Sequence, residues 1–135
     1  MSEKIYVDTN VWLDYLYNRT DKLRPLGEFA FELFRKSVAC AYTIVISDWV
    51  LDEVSKYDPQ KRMADVLIWL KEAKKVEVIS TTYELKQKAK KQAHWQDVLH
   101  ALLAEEASVS FLVTRNIIDF SGSWYSFKVK LPEQL

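Results

Sequence analysis

The sequence predicts an α/β protein that folds as a three-layer α/β/α sandwich around a mainly parallel central sheet. Short apolar, β-branched runs alternate along the chain with longer segments whose apolar residues recur at helical spacing. Such alternation favours strand–helix–strand units, and their right-handed crossovers cover the faces of the sheet with helices. The chain has 135 residues without repeats or low-complexity linkers, so we expect one domain over residues 1–135.

The first half of the chain is predicted to alternate strands with helices, in the order strand 5–7, helix 10–18, helix 26–38, strand 43–46 and helix 48–57. The strands are the apolar, β-branched runs, which pack well on a pleated surface. Residues 21–25 form a turn-like break between the first two helices. Ser47 is a suitable N-cap for the third helix because its hydroxyl can accept a first-turn backbone N–H.

The second half is predicted to continue the alternation, with a helix opened by Pro59, strand 76–79, a lysine-rich helix to about residue 93, helix 95–107, strand 111–114 and a candidate edge strand 127–129. Proline suits a first helical turn, where its missing N–H has no partner to lose. Ser80 or Thr81 is expected to cap the lysine-rich helix.

Composition excludes several classes of protein. Hydrophobic residues make up 49% of the chain, which is typical of a globular domain. No apolar run approaches the roughly 20 residues that span a bilayer, and no signal-peptide pattern opens the sequence. Cys40 is the single cysteine, which excludes an internal disulfide and fits a packed small residue in a reducing cytosol. We therefore expect a cytoplasmic protein without a membrane partner.

The formal net charge of zero conceals a polarity along the chain. Residues 1–60 carry 7 basic and 10 acidic side chains, and residues 61–135 carry 12 and 9. Lys86, Lys88, Lys90 and Lys91 crowd the helix that precedes residue 95. A zero total argues against broad coating of nucleic acid, although a local basic surface can guide a polyanion. A solvated helix face is the equally good alternative for these lysines.

Polar side chains converge on one edge of the predicted sheet. Asp8 follows the first strand directly. Asp97 lies in the first turn of the helix that leads into strand 111–114, and this helix runs antiparallel to the strand, so Asp97 returns to the strand's carboxyl end. Asn116 and Asp119 leave the strand at the same end. Open α/β sheets bind ligands at this edge, and the sequence therefore predicts a site there.

Glu53 is a candidate for the same site on other grounds. It shares one helical face with Trp49, Val50, Val54 and Tyr57, so it interrupts an apolar stripe. A buried carboxylate is costly unless it is paired or binds a cation. Glu53 should therefore point towards a partner.

Taken singly, these residues also have structural explanations. Asp8 and Asn10 can cap the next helix, while Asp97 can complement its helix dipole. Asp119 can stabilise a turn. Taken together, carboxylates that meet at one edge repel one another unless a cation holds them. Oxygen donors without a Cys/His cluster suit Mg²⁺ or Mn²⁺ better than Zn²⁺, which indicates a metal-dependent phosphoryl-transfer site.

Four segments in register carry a resemblance to a known family, and they read YVDTNVWLDYL, ISDWVLDEV, DVLHALLA and LVTRNIIDF. Between Lys4 and Phe120 the chain resembles PIN-domain ribonucleases, especially the VapC-like toxins of type II toxin–antitoxin systems. The resemblance implies a PIN-like sandwich and an endoribonuclease that cuts single-stranded RNA with Mg²⁺, for which Mn²⁺ can substitute. It also implies a cognate antitoxin as partner.

The resemblance also implies roles for individual residues. The metal-binding acids of the family fall on Asp8, Glu53 and Asp97. The family's fourth acidic position falls on Asn116, which completes the catalytic set but adds no charge, and Asp119 is the alternative fourth metal ligand. The residues expected to orient ligands or substrate are Asn10, Thr114 and Arg115. His100, one turn beyond Asp97, is expected to be a helix-packing residue.

Two other functions compete with this interpretation. A haloacid-dehalogenase-type phosphatase also places an aspartate after its first strand, but Asn10 stands where its second aspartate belongs and no later Gly-Asp-x-x-x-Asp segment exists. The stronger alternative is a catalytically weakened PIN-like domain that binds RNA or serves in assembly, because Asn116 is uncharged.

The aromatic content predicts further contacts. Five Trp, seven Tyr and six Phe are many for a thin sandwich to bury. Exposed aromatic patches usually mark interfaces, so we expect a homodimer and an apolar groove for an antitoxin segment. The helices within residues 10–40 and 48–70 are the candidate surfaces.

Overall fold

Five parallel strands form the centre of the computed structural model, which describes residues 3–39, 41–120 and 125–135. The sheet order is β3-β2-β1-β4-β5, and each neighbouring pair is parallel. The strands are β1 Glu3–Val7, β2 Tyr42–Ser47, β3 Val76–Ile79, β4 Phe111–Val113 and β5 Lys128–Lys130. The predicted parallel sheet is confirmed, with β5 at its edge.

Six α-helices cover the sheet within the described residues, and they are α1 Thr9–Leu16, α2 Leu26–Val38, α3 Asp48–Ser55, α4 Met63–Glu72, α5 Tyr83–Lys90 and α6 Trp95–Glu106. Two 3₁₀ turns follow, at Ile117–Phe120 and Pro132–Gln134. Helix α1 packs against α2 and α3, and α5 packs against α6. This arrangement confirms the predicted α/β/α sandwich.

The core lies between the central strands and the helices. Tyr6, Ile44 and Leu112 on adjacent strands are fully buried. Trp12 of α1 stacks on Phe34 of α2 with ring centroids 4.7 Å apart, so aromatic contacts join the two helices. No helix in the described part of the chain is long and apolar enough to span a membrane. The prediction for Cys40 lies outside the described residues.

Side-chain caps set several helix boundaries. Ser47 caps α3 as predicted, since its hydroxyl accepts the backbone N–H of Val50 at 3.1 Å. The start predicted at Pro59 is wrong, because α4 begins at Met63. The Asp58 carboxylate accepts the backbone N–H groups of Arg62 and Met63 at 3.0 and 2.8 Å and thereby holds the first turn.

The lysine-rich helix also begins later than predicted. Its cap is Thr82, whose hydroxyl accepts the backbone N–H of Leu85 at 3.2 Å. Thr81, one of the two predicted caps, instead donates its backbone N–H to Asp48 at 2.8 Å. This contact ties the segment after β3 to the first turn of α3, so α5 begins at Tyr83.

Candidate functional site

The register of the two central strands brings Asp8 beside Thr114. Val7 pairs with Val113, so β1 and β4 end at the same level. The Thr114 hydroxyl donates to Asp8 Oδ2 at 2.9 Å, and the backbone N–H of Thr9 donates to Asp8 Oδ1 at 2.8 Å. Asp8 is only 6% exposed. Its carboxylate is therefore both the cap of α1 and a fixed anionic group at the sheet edge.

The loop after β4 is tied to the same point. Thr114 Oγ1 accepts the backbone N–H of Asn116 at 3.0 Å. The backbone N–H of Arg115 donates to Asn10 Oδ1 at 3.4 Å. The three residues expected to orient ligands thus lie together beside Asp8. The Thr114 hydroxyl links the aspartate to the loop that carries Asn116.

The Arg115 guanidinium faces away from this hydroxyl link. Its Nε lies 3.4 Å from Asp14 Oδ2, and its Nη1 donates to Glu133 at 2.7 Å. The guanidinium carbon also lies 5.6 Å from the centre of the Phe29 ring. Two carboxylates and one aromatic face therefore hold the guanidinium that was expected to orient ligands or substrate.

Glu53 reaches the site through two neighbours. Its Oε1 accepts from the Thr9 hydroxyl at 2.7 Å and lies 2.8 Å from His100 Nε2. The same nitrogen lies 3.5 Å from Asp8 Oδ1. The predicted partner of this carboxylate is thus an imidazole. The expected apolar stripe is incomplete, because Tyr57 lies beyond the end of α3 and is exposed.

His100 is the site residue that sequence reasoning missed. Its ring is 2% exposed, and its Nδ1 lies 2.8 Å from the Tyr6 hydroxyl. That hydroxyl lies 2.8 Å from the hydroxyl of Ser47. A buried chain of contacts therefore runs from Ser47 through Tyr6 and His100 to Glu53. The available signals were a polar Tyr6 within an apolar strand and a histidine three residues after Asp97.

The Glu53–His100 pair favours its ionised form. Burial lowers the pKa of His100, but the hydrogen bond with Glu53 and the charges of Asp8, Glu53 and Asp97 outweigh burial and raise this pKa above its ordinary value. Burial likewise raises the pKa of Glu53, yet the His100 contact and the Thr9 hydrogen bond bring it below its ordinary value. An imidazolium thus compensates part of the acidic charge.

The pKa of Asp97 is shifted in the opposite direction to that of Glu53. It lies in the first turn of α6, and burial, followed by the charges of Asp119 and Asp8, raises its pKa above the ordinary value. His100 and His94 oppose this shift without cancelling it. The charges of Asp119 and Asp8 therefore oppose ionisation of Asp97, and the two histidines supply too little positive charge to offset them.

The acidic residues of the site can be compared with what a divalent cation requires. No group of three or more His, Cys, Asp or Glu side chains in the described ranges forms a preformed metal cluster. However, a cation among Asp8, Asp97 and Asp119 would relieve the repulsion that raises the pKa of Asp97. Their carboxylate oxygens are donors that Mg²⁺ and Mn²⁺ prefer. The donor chemistry of the three aspartates suits such an ion, whereas Glu53 is engaged by Thr9 and His100.

The two candidates for the fourth position differ in their surroundings. Asn116 is tied to Thr114 through its backbone N–H and is exposed. Asp119 lies on the 3₁₀ turn that follows, and its backbone N–H donates to the Asn116 carbonyl at 3.0 Å. Asp119 is the candidate whose charge acts on Asp97.

Comparison with known proteins gives structural matches only. No family sequence model matches the chain, and no curated protein matches its sequence. VapBC2 of Rickettsia felis, solved bound to a DNA fragment from its promoter, matches with a TM-score of 0.60 at 19% identity over 94% of this chain and 98% of that chain.

A second match is the sarcin–ricin loop cleaving toxin VapC20 of Mycobacterium tuberculosis. Its TM-score is 0.54 at 17% identity, over 80% of this chain and 86% of that chain. At these identities the likeness establishes the fold. The parallel sheet, the order of its elements and both structural matches together show that this chain has the PIN-domain fold of the VapC proteins.

Proposed function

We propose that this chain is a metal-dependent endoribonuclease that cleaves single-stranded RNA, and that it is the toxin of a toxin–antitoxin pair. The observation that carries the proposal is the crowding of acidic groups at the carboxyl edge of the sheet, where Asp8 is fixed by two hydrogen bonds and where burial and then the charges of Asp119 and Asp8 raise the pKa of Asp97. A protein gains no stability from such an arrangement, so it indicates a site kept for a cation. The VapC-like fold supports the same activity.

Asp8, Asp97 and Asp119 would hold the ion, which we propose to be Mg²⁺ with Mn²⁺ as a substitute. A divalent cation there supplies charge neutralisation at the scissile phosphate and lowers the pKa of a water molecule. Thr114 and the Thr9 backbone keep the Asp8 carboxylate oriented through their two hydrogen bonds. Preorganised ligands avoid the cost of ordering the site during the reaction.

Glu53 and Asn116 complete the proposed catalytic set. His100 and Thr9 hold the Glu53 carboxylate in place through contacts of 2.8 and 2.7 Å. Asn116 presents an amide from the loop held by Thr114. Asn10 fixes that loop through the Arg115 backbone, which makes it a positioning residue.

A groove between three helices is the proposed antitoxin surface. It encloses about 630 Å³ between α1, α2 and α4. Tyr15, Phe31 and Trp69 line it as a stack, with successive ring centroids 6.2 and 6.0 Å apart. An apolar segment of a partner fits such a surface. The groove lies within the helices predicted for this role.

We also propose that the chain forms a homodimer. Light scattering at micromolar concentration tests this, and a monomer would refute it.

One observation favours a second function. The Glu53 carboxylate is engaged by the His100 ring at 2.8 Å, and the described residues form no preformed metal cluster. A PIN-like domain with a weakened site that binds RNA or serves in assembly would have these properties. Such a module would bind RNA without cutting it.

Cleavage of an unstructured RNA oligonucleotide separates the two functions. The wild-type chain should cut it in Mg²⁺ or Mn²⁺ and stop when the metal is chelated. Asp8→Asn should lose cleavage while circular dichroism shows an intact fold. Binding without cleavage by the wild type would support the module, and full cleavage by a pure Asp8→Asn preparation would refute the metal mechanism.

A further inference from the structure

Two tryptophans and two lysines form an array across three helices, which we call the Trp–Lys array. Trp49 of α3 and Trp95 of α6 have ring centroids 5.4 Å apart. Lys86 Nζ lies 5.3 Å from the centre of the Trp49 ring, and Lys90 Nζ lies 5.3 Å from the centre of the Trp95 ring. Two neighbouring rings are therefore flanked by two cations, in the order Lys86, Trp49, Trp95 and Lys90.

The Trp–Lys array adjoins the acidic site through the helices that carry both. Trp49 precedes Glu53 by four residues of α3, which is about 6 Å along the helix axis. Trp95 and Asp97 both lie in the first turn of α6, two residues apart and therefore on different faces of the helix. A strand that passes over Trp49 is thus led along α3 towards Glu53.

The array also divides the lysines of α5 into two sets. Lys86 and Lys90 are four residues apart, so they lie on one face of the helix and both meet tryptophan. Lys88 lies between them in sequence and is exposed, and its position turns it by about 200° from Lys86. Lys91 is the exposed C-cap residue. Because both sets carry two positive charges, substitution of Lys88 and Lys91 is a matched control for substitution of Lys86 and Lys90.

The indole N–H of Trp49 lacks a hydrogen-bond acceptor among the described residues. The Nε1 atom that carries it is buried. A buried donor without an acceptor is costly in a folded protein. A groove of about 500 Å³, lined by Tyr83 and Lys86 among others, opens beside this ring. Asp48 and Asp52 line its other side, and Thr81 engages the Asp48 carboxylate.

We propose that the Trp–Lys array is the binding surface for a single-stranded polynucleotide, on which bases stack on Trp49 and Trp95 while Lys86 and Lys90 meet the phosphates. The inference rests on the proposed nuclease function and identifies how its substrate is held. Every base has a π-face, whereas duplex bases are already stacked on one another, so this chemistry selects unpaired strands without a strong sequence preference. The ammonium groups, now over the rings, turn to the phosphates when bases replace them.

The test is binding of a fluorescent oligouridylate, followed by anisotropy in EDTA so that no cleavage occurs. The double variant Lys86→Gln/Lys90→Gln is compared with Lys88→Gln/Lys91→Gln, which removes the same charge from the same helix. The first should flatten the dependence of log affinity on log salt by about 1.4, since each phosphate contact on a single strand contributes about 0.7. The second should leave the slope of the wild type unchanged.

Substitution of one tryptophan tests stacking separately from charge. Trp95→Leu should weaken binding by about 5- to 160-fold, which corresponds to the loss of one stacked base. Trp95→Phe retains a π-face and should recover most of that loss. If Trp95→Leu fails to fold, Trp95→Phe and the lysine pairs still decide the question.

Equal effects of the two lysine pairs would overturn the proposal by showing general attraction alone. Unchanged affinity in Lys86→Gln/Lys90→Gln would also overturn it, because the array would then serve only to join the helices. A wild type that cleaves RNA normally in either case would leave the nuclease function standing. Conversely, binding through the array without any metal-dependent cleavage would refute the nuclease and retain this inference.

Discussion

Replacing Thr114 by valine tests how the fold fixes the Asp8 carboxylate. Thr114 is fully buried, and its hydroxyl donates to Asp8 at 2.9 Å while accepting from the backbone N–H of Asn116 at 3.0 Å. Valine has nearly the same shape but can make neither bond. Thr114→Ser keeps the hydroxyl and loses only a methyl group, so it is the matched control.

The magnitude follows from the two contacts. A hydrogen bond to a charged group contributes about 1.5–3 kcal/mol, and a neutral one about 0.5–1.5 kcal/mol. The extra buried methyl of valine offsets roughly 0.8 kcal/mol of this sum. We therefore expect Thr114→Val to lower the free energy of unfolding by about 1–4 kcal/mol. Thr114→Ser should lose only about 1 kcal/mol, the transfer free energy of one methyl.

Urea unfolding in EDTA measures the stability, and metal-dependent RNA cleavage measures the consequence for the site. Thr114→Val should lose at least about tenfold in cleavage rate, since a positioning hydrogen bond contributes on the order of 1.4 kcal/mol or more. Thr114→Ser should retain most of the activity. A valine variant as stable and as active as the wild type would refute the claim that this hydroxyl holds the aspartate.

Three further predictions concern the charges around Asp8. Because the pKa of Asp97 is raised on folding, its ionisation destabilises the fold as pH rises above about 3.9. Asp97→Asn should therefore unfold at a higher urea concentration than the wild type in EDTA at pH 7. This difference in urea midpoint should shrink towards pH 3.9. Because the pKa of His100 is raised on folding, its positive charge stabilises the fold fully below about pH 6.5, and this stabilisation is lost as pH rises through the folded pKa. The thermal midpoint of the wild type should therefore fall over that pH range, and the fall should be shallower in His100→Gln. An equally steep fall in the variant would contradict the assignment. If Asp119 is the fourth ligand, Asp119→Asn should raise the Mg²⁺ concentration for half-maximal cleavage while Asn116→Asp changes it little, and the reverse pattern would assign the ligand to position 116.

Most of the fold was predictable because local signals agreed with the global arrangement. Helix α2 has the predicted bounds, and β3 coincides with its β-branched run. The start of α4 was missed because a side chain several residues upstream sets it. Asp58 caps Arg62 and Met63, whereas Pro59 offered a stronger local signal for a helix start.

The site was predictable where strand order alone determines it. Asp8 and Thr114 meet because parallel neighbours end at one level, and Asp97 follows from the direction of α6. The partner of Glu53 was not predictable, since the contact with His100 depends on how α3 and α6 pack around Tyr6. Sequence reasoning indicated that this glutamate needs a partner but left the partner unidentified.

The hydrogen bonds of Asp8 also change an expectation about its removal. Considered as one of several crowded carboxylates, Asp8 should leave metal-free stability unchanged or slightly higher when it becomes asparagine. In the structure its second oxygen accepts from Thr114, and an amide NH₂ at that position could not. The relief of repulsion is therefore opposed by the loss of a charge-assisted hydrogen bond, because the neutral amide makes only a weaker bond with the Thr114 hydroxyl.

Crystals of the full chain soaked in Mn²⁺ can show directly whether the carboxyl edge of the sheet holds a divalent cation. Diffraction data collected at the manganese absorption edge should give an anomalous peak within coordination distance of Asp8 and Asp97. The same peak should be absent from Asp97→Asn crystals. Saturating Mn²⁺ that leaves no peak at these carboxylates in the wild type would contradict the proposed metal centre.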